Sequence, residues 1–428
     1  MMKKTLISLA VCGTLSSVSG TEIIVSPFGY LTGMYQSAPT DNFAFHVRSG
    51  ADFNINNSGF SFGLGAIGLW NIPLDSNQPS NSVGDISDAY IQYKRRVRTK
   101  EGNTKETLQA SIGRFNSDFL RSDWLAGNIQ GIGARYSVSN RFDLYASYLN
   151  SYLNTGYKRG QVGTKYGTSI ANLTPFSPNT KDRYVGGEVI MAGISFTEKQ
   201  KFLFDIFGLL NSSLPNTLPA VPNGNRGSSL LGQVGATISF KIATSQEGFQ
   251  ARTTLRGLAQ YGNTDRRDAP DRLGQDFSFL AWADEKLTIY NDFYIGAGAH
   301  YVGGREGMGG IWSITDMTRY YGNTMGLAST TMGYIAPYFF NNTITAYVYG
   351  GIDYKRFTLH ALASFNDYQE FSLMAQYRFW EQGAMSLEVG GGFIHYKFDG
   401  YNTQAAIPYY ALVPTSQNSF NVFVRFNY

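Results

Sequence analysis

Apolar and polar residues alternate one by one along most of the chain. Between Phe43 and Phe53, the set Phe43, Phe45, Val47, Ala51 and Phe53 alternates with His46, Arg48, Gly50 and Asp52. Between Gln250 and Tyr261, the set Ala251, Thr253, Leu255, Gly257, Ala259 and Tyr261 alternates with Gln250, Arg252, Thr254, Arg256 and Gln260. The pattern recurs over Thr343 to Tyr354 and over Phe371 to Trp380, where Arg378 falls in the polar set. Successive side chains of a strand point to opposite faces, so each run predicts a β-strand with one apolar and one polar face.

The connections alternate too. Tight polar turns are expected at Asn56-Asn57-Ser58-Gly59, Glu101-Gly102-Asn103, Ser139-Asn140, Thr197-Glu198-Lys199, Ser245-Gln246-Glu247-Gly248, Asn291-Asp292, Lys355-Arg356 and Glu381-Gln382-Gly383. Longer connections separate them near 36–42, 71–82, 115–129, 151–182, 211–228, 262–275, 303–342, 366–369 and 396–418. Eight turns and nine loops imply about 18 strands of about ten residues, the length a tilted strand needs to cross a bilayer.

Composition decides what the apolar faces meet. Charged residues make up only 15%, while the chain holds 48 Gly, 29 Tyr and 30 Phe. Soluble proteins carry nearer a quarter charged residues. No run of about 18 apolar residues follows the first twenty, which excludes spanning helices. Aromatic residues such as Tyr261, Tyr354 and Tyr428 stand at strand ends, where interfacial girdles belong. These features predict an all-β, antiparallel transmembrane barrel in the outer membrane, in contact with lipids and lipopolysaccharide. The short turns are assigned to the periplasm and the long loops to the outside.

The N-terminus fits that location. Lys3 and Lys4, an apolar run from Leu6 to Leu15 and Val18-Ser19-Gly20 read as a signal peptide over 1–20, leaving one barrel domain over 21–428. A lipoprotein cut before Cys12 is the alternative; bulky Val11 argues against it. Cys12 is the only cysteine, so no disulfide or thiolate metal site is expected. The formal net charge of +4 gives no reason to expect a nucleic-acid partner. At the other end, Phe420, Val422, Val424, Phe426 and Tyr428 share one face. That ending resembles the signal read by barrel-assembly machinery.

Candidate chemistry is sparse. Gly63, Gly65 and Gly68 match a dinucleotide-binding pattern, but no helix follows to hold a pyrophosphate. They read instead as small residues in a crowded strand. The run Lys94-Arg95-Arg96-Val97-Arg98 reads as a basic rim at a strand end. His46, His300, His360 and His395 lack metal-pair spacing, and His360 with Ser364 lacks an acidic partner. No enzyme, cofactor or metal is expected. The segment Ile112–Tyr136 is different, because a loop of about 15 residues carries Arg114, Asp118, Arg121, Asp123 and Trp124 between two strands. Folded back into the lumen, such mixed charges would narrow a channel.

Gly113-Arg114, Trp124, Gly127-Asn128-Ile129-Gln130-Gly131 and the strand to Val138 resemble a landmark of Hof-type outer-membrane proteins of Helicobacter. The major outer membrane porin of Campylobacter is similar at greater distance. The resemblance implies an 18-stranded barrel like the OprD-type carboxylate channels, with inward-folded loops near 115–129 and 303–342. It also implies passive diffusion of small hydrophilic solutes, with some favour for anionic or carboxylate-bearing ones. Arg48, Arg135, Arg252, Arg256, Arg378 and Arg425 face inward by parity, as do Asp52, Asp143, Asp205, Asp353 and Glu388, a near-balance that argues against strong selectivity. The constriction is expected at Arg114, Asp118, Arg121 and Asp123, with Asp316 and Arg319 from the second loop. The competing expectation is an adhesin or structural barrel whose loops contact a host surface.

Overall fold

The computed structural model describes residues 22–37, 41–56, 58–74, 81–98, 104–125, 127–139, 141–153, 188–198, 201–211, 229–243, 248–264, 275–304, 310–312, 318–321, 335–398 and 416–428. The expected signal peptide and its cleavage site, Glu101-Gly102-Asn103, most of 151–182 and Asp316 lie outside the described residues.

Eighteen strands hydrogen-bond in sequence order. They are β1 (Ile23–Gln36), β2 (Asn42–Ile55), β3 (Phe60–Pro73), β4 (Asn81–Arg98), β5 (Thr104–Asn116), β6 (Asn128–Val138), β7 (Phe142–Leu153), β8 (Val189–Glu198) and β9 (Phe202–Asn211), then β10 (Ser229–Ala243), β11 (Phe249–Thr264), β12 (Gln275–Ile289) and β13 (Phe293–Gly304). A small hairpin, β14 (Gly310–Trp312) and β15 (Ile335–Phe340), forms a separate sheet. The wall resumes with β16 (Thr343–Tyr354), β17 (Phe357–Asn366), β18 (Tyr368–Gln382), β19 (Met385–Phe398) and β20 (Ser416–Asn427). Every neighbouring pair is antiparallel, and β1 pairs with both β2 and β20, which closes the barrel. Tyr428 seals the seam by exchanging backbone hydrogen bonds of 2.9 and 3.0 Å with Gly29. Closure matters in lipid, where each unpaired backbone group costs several kcal/mol.

The outer face carries the apolar set: Phe45, Leu64, Ile112, Ile190, Val234, Ile295 and Phe371 are all exposed. Tyr290, Phe293, Tyr354 and Phe357 ring the turn end, and Tyr261, Phe277 and Tyr301 the loop end. A closed barrel with this outer face spans a membrane. Two expectations need correction. Strands run from 10 residues in β8 to 18 in β4, so several project beyond the bilayer. The connection at 366–369 is not a long loop: only Asp367 separates β17 from β18. The last pair of that hairpin is Ser364 with Glu370, and within 365–369 Asn366 takes φ +76 and the Asp367 carboxylate accepts from the Ile344 amide at 2.7 Å.

The glycine pattern lies inside β3, as the sequence suggests. A Cβ at Gly63 would sit 2.3 Å from the Tyr90 ring, so the position is small to admit that side chain. Alternation splits the basic run of β4, placing Lys94 and Arg96 on the inner face and Arg95 with exposed Ile91 and Val97 on the outer one. His46, His300 and His360 face inward and are buried.

Candidate functional site in the lumen

The loop after β5 leaves the wall at a glycine pair. Gly113 and Gly131 stand opposite each other in the β5–β6 ladder, with φ +111 and +157. A Cβ at Gly113 would lie 2.2 Å from the Ala89 carbonyl oxygen, so only glycine permits the bend. The neck is pinned by Ser117, whose amide and hydroxyl both donate to the Gly127 carbonyl at 2.8 and 2.9 Å. A short 3-10 turn, Ser117–Leu120, follows, capped where the Asn116 side chain accepts from the Asp118 amide at 2.8 Å. Arg121 then adopts φ 59 and turns the chain across the interior.

The far side of this loop is fixed to inward-facing residues of four other strands. The Asp123 amide donates to Asp205 of β9 at 2.8 Å, and Ser122 and Tyr145 of β7 share a hydrogen bond at 3.1 Å. Tyr145 in turn donates to Asp205 at 3.0 Å. The Asp123 carboxylate accepts from Thr237 of β10 at 2.8 Å and from Arg256 Nε of β11 at 2.9 Å. Trp124 packs on Phe207, ring centroids 5.0 Å apart, and Leu120 and Leu125 are fully buried. Arg121 approaches Asp143 of β7 at 3.5 Å while staying half-exposed.

The second loop is held by consecutive residues. Arg319 makes two 2.8 Å bonds to the Asp284 carboxylate of β12 and lies 3.8 Å above the Tyr349 ring. Burial opposes its charge, and the Asp284 contact overrides that and holds the guanidinium above its ordinary pKa. Tyr320 meets His300 at 2.9 Å, and the Tyr321 amide donates to Glu370 of β18 at 2.6 Å. Tyr347 adds a 2.7 Å bond to Asp284, and Tyr368 one of 2.7 Å to Glu370.

The structure therefore brings together Arg121, Asp123, Arg256 and Arg319 near the two loops. Arg114 is placed elsewhere. It pairs with Asp85 at 2.8 Å, hydrogen-bonds Gln130 at 2.9 Å and the Ile86 carbonyl, and clamps the edge of β4 where β5 departs. Asp118 sits in the 3-10 turn near the neck. On the remaining inner wall, Arg48 grips Asp88 at 2.8 Å, Tyr90 donates to Asp52 at 2.6 Å, and Arg378 pairs with Glu388 and Glu381 at 3.1 Å. Arg135 lies 3.7 Å from Asp143. Arg252 donates to Ser239 at 3.2 Å.

A row that inspection of the sequence overlooked lies in the turn-side half. Lys241, Arg252 and Lys286 are register neighbours on β10, β11 and β12, all on the inner face. Opposite neighbours on one face stand about 5 Å apart at Cβ. Most of the buried wall carboxylates serve elsewhere, although Asp284 and Asp353 lie close enough to act on Lys286 through charge. Asp88, Asp143, Asp205, Asp284, Glu370 and Glu388 are all buried against arginines, hydroxyls or loop amides. Among the described residues, Lys94, Arg96, Lys241 and Lys286 have no carboxylate within ion-pair distance. Cysteines at Arg252 or Arg256 should react with a charged, membrane-impermeant thiol reagent, and cysteines at Thr253 or Leu255 should not. Reversed labelling would mean that the register is wrong by one.

No known protein-family model matches the sequence, and no curated protein sequence matches it. Solved structures do match in shape. OccAB1 of Acinetobacter baumannii aligns with a TM-score of 0.60 at 11% identity, over 95% of this chain and 96% of that one. The outer membrane protein OpdK of Pseudomonas aeruginosa gives 0.60 at 11%, over 95% and 99%. OccD3 (OpdP) of the same organism gives 0.56 at 11%, over 96% and 92%. OpdK is an outer membrane protein, and this chain shares the closed 18-stranded fold of these structures.

Proposed function

We propose that the chain is an outer-membrane porin for passive diffusion of small hydrophilic solutes, with a moderate preference for anionic, carboxylate-bearing ones. The observation that carries the reading is how charge is used on the inner wall. Most of its carboxylates are buried as anchors for the two loops and for Arg48 and Arg378, while Lys94, Arg96, Lys241 and Lys286 have no carboxylate within ion-pair distance among the described residues. A count of inward charges suggests balance; the pairing leaves the solvent-facing surplus positive. In a narrow lumen such a surplus raises the local concentration of anions.

Similar shapes support the solute class, since one of them, OpdK, was solved with vanillate. The finer resemblance, to Hof-type proteins of Helicobacter, rests on the segment Gly113 to Val138. The adhesin reading is weakened by the 303–342 loop, whose Arg319 and Tyr321 are tied to the wall instead of standing free. Purified protein in planar bilayers should give stepwise conductance, and a salt gradient should set a reversal potential on the anion side. Silence would remove the porin reading, and a cation-side potential would remove the anion preference.

A further inference from the structure

On the inner face of β4, β5 and β6, long cationic side chains gather where the wall supplies little opposing charge. Lys94 of β4 stands in one register row with Gln109 of β5 and Arg135 of β6. Arg96 stands in the next row with Thr107, Ser137 and Asp143 of β7. Strands about 4.8 Å apart put Lys94 and Arg135 about 10 Å apart at the backbone, a gap that two such side chains span. Arg121 reaches the same place from the first loop, 3.5 Å from Asp143. The charges of Arg96, Arg121 and Arg135 all act on Lys94, and those of Arg96 and Arg121 act on Arg135.

Among the described residues, Asp143 is the carboxylate that faces this group. It already accepts from the Ser137 hydroxyl and pairs with Arg121. Arg135 lies 3.7 Å from it, beyond hydrogen-bonding distance. Arg135 is only 6% exposed, and its Nε donates to no group in the protein. Burying a charged donor without a partner is unfavourable, and an acceptor arriving from the lumen removes that cost. Lys94 and Arg96 have no carboxylate within ion-pair distance. Four cations against one carboxylate leave three positive charges in surplus.

We propose that Lys94, Arg96, Arg121 and Arg135 form a holding site for a small multivalent anion of the phosphate class. The proposal rests on the porin reading and adds to it a fixed stop inside the lumen. A monocarboxylate brings one charge and is satisfied by one guanidinium held side-on. A compact tetrahedral dianion presents oxygens in several directions, so it takes donors from β4, from β6 and from the loop at once. It also neutralises most of the surplus charge. Arg135 supplies the donor fixed in the wall, and the more exposed Arg96 and Arg121 close on the anion from the strand end and from the loop.

Chloride current through single channels tests this, with inorganic phosphate added in mildly alkaline buffer, where it is a dianion. Phosphate should block the wild type saturably, and acetate at the same ionic strength should not. Lys94→Gln together with Arg96→Gln, neither of them buried, should raise the half-blocking phosphate concentration about tenfold. Arg135→Gln should raise it further, and the double variant carries the test if that buried substitution prevents folding, judged by heat-shifted gel mobility. Substituting glutamine for Lys241, Arg252 and Lys286 should leave the half-blocking concentration within about twofold, because that row is a separate part of the wall. Broadening of the phosphorus NMR signal by detergent-solubilised protein reads binding without conductance, so broadening with a silent bilayer would remove the porin reading and keep the site. A conducting wild type with neither block nor broadening overturns the proposal. So does equal block by acetate or succinate, or an unchanged half-blocking concentration in the double variant.

Discussion

Replacing residues 117–126 by a two-glycine link should raise single-channel conductance roughly two- to five-fold, because an 18-stranded barrel is wide and only infolded segments can narrow it. The loop removed reaches from β5 to Asp205, Thr237 and Arg256, so it crosses a large part of the lumen. The barrel itself should survive, since Gly113 and Gly131 end the regular wall just below the loop and the β5–β6 ladder continues without it. Two measurements sharpen the expectation. Asp205→Ala removes the acceptor for both the Asp123 amide and Tyr145, and should give noisy, flickering openings of intermediate size. Asp123→Asn keeps that amide anchor but releases Arg256, and should move the reversal potential further toward anions with little change in conductance. Unchanged conductance in the deletion, with a folded barrel on gels, would place the constriction elsewhere.

The strand plan was legible because a two-residue period leaves little freedom. Once Phe45 and Val47 are assigned to lipid, His46 and Arg48 must face inward, and the neighbouring strands follow through their turns. Two places broke that logic. Arg114 reads as a loop residue, but it stays in the β5 ladder opposite Gln130 and its side chain ends on Asp85. In β4, the irregular step opposite Gly65 and Ala66 adds a residue, which brings both Ser87 and Asp88 to buried positions. The loop contacts were less legible still. Asp123 and Arg256 are separated by 133 positions, and Arg319 and Asp284 by 35, and nothing in either segment names its partner. As a result the inward acids looked like counter-charges for the lumen, when most of them are structural acceptors. The row Lys241, Arg252, Lys286 could have been found by counting strand positions back from the turns at 244–248 and 290–292, since a hairpin's turn fixes its register.

That row carries the most discriminating expectation for selectivity. Each cation removed at about 7 Å from a permeating anion, with an effective dielectric of about 60, is worth about 0.8 kcal/mol, or about fourfold in local anion concentration. Substituting glutamine for Lys241, Arg252 and Lys286 together should therefore lower the anion-to-cation permeability ratio by roughly fourfold or more at 0.1 M salt, with losses less than additive because the three fields overlap. Ionic strength supplies an internal control. The Debye length is about 10 Å at 0.1 M and about 3 Å at 1 M, so the difference between variant and wild type should nearly vanish at the higher concentration. Arg95→Gln, on the outer face of the same barrel, should leave the ratio unchanged at both concentrations. If the triple variant keeps the wild-type reversal potential at 0.1 M, the solvent-facing surplus on this wall does not set selectivity. A shift of equal size at 0.1 and 1 M would mean instead that the substitutions changed the shape of the lumen, because screening acts on charge and not on width.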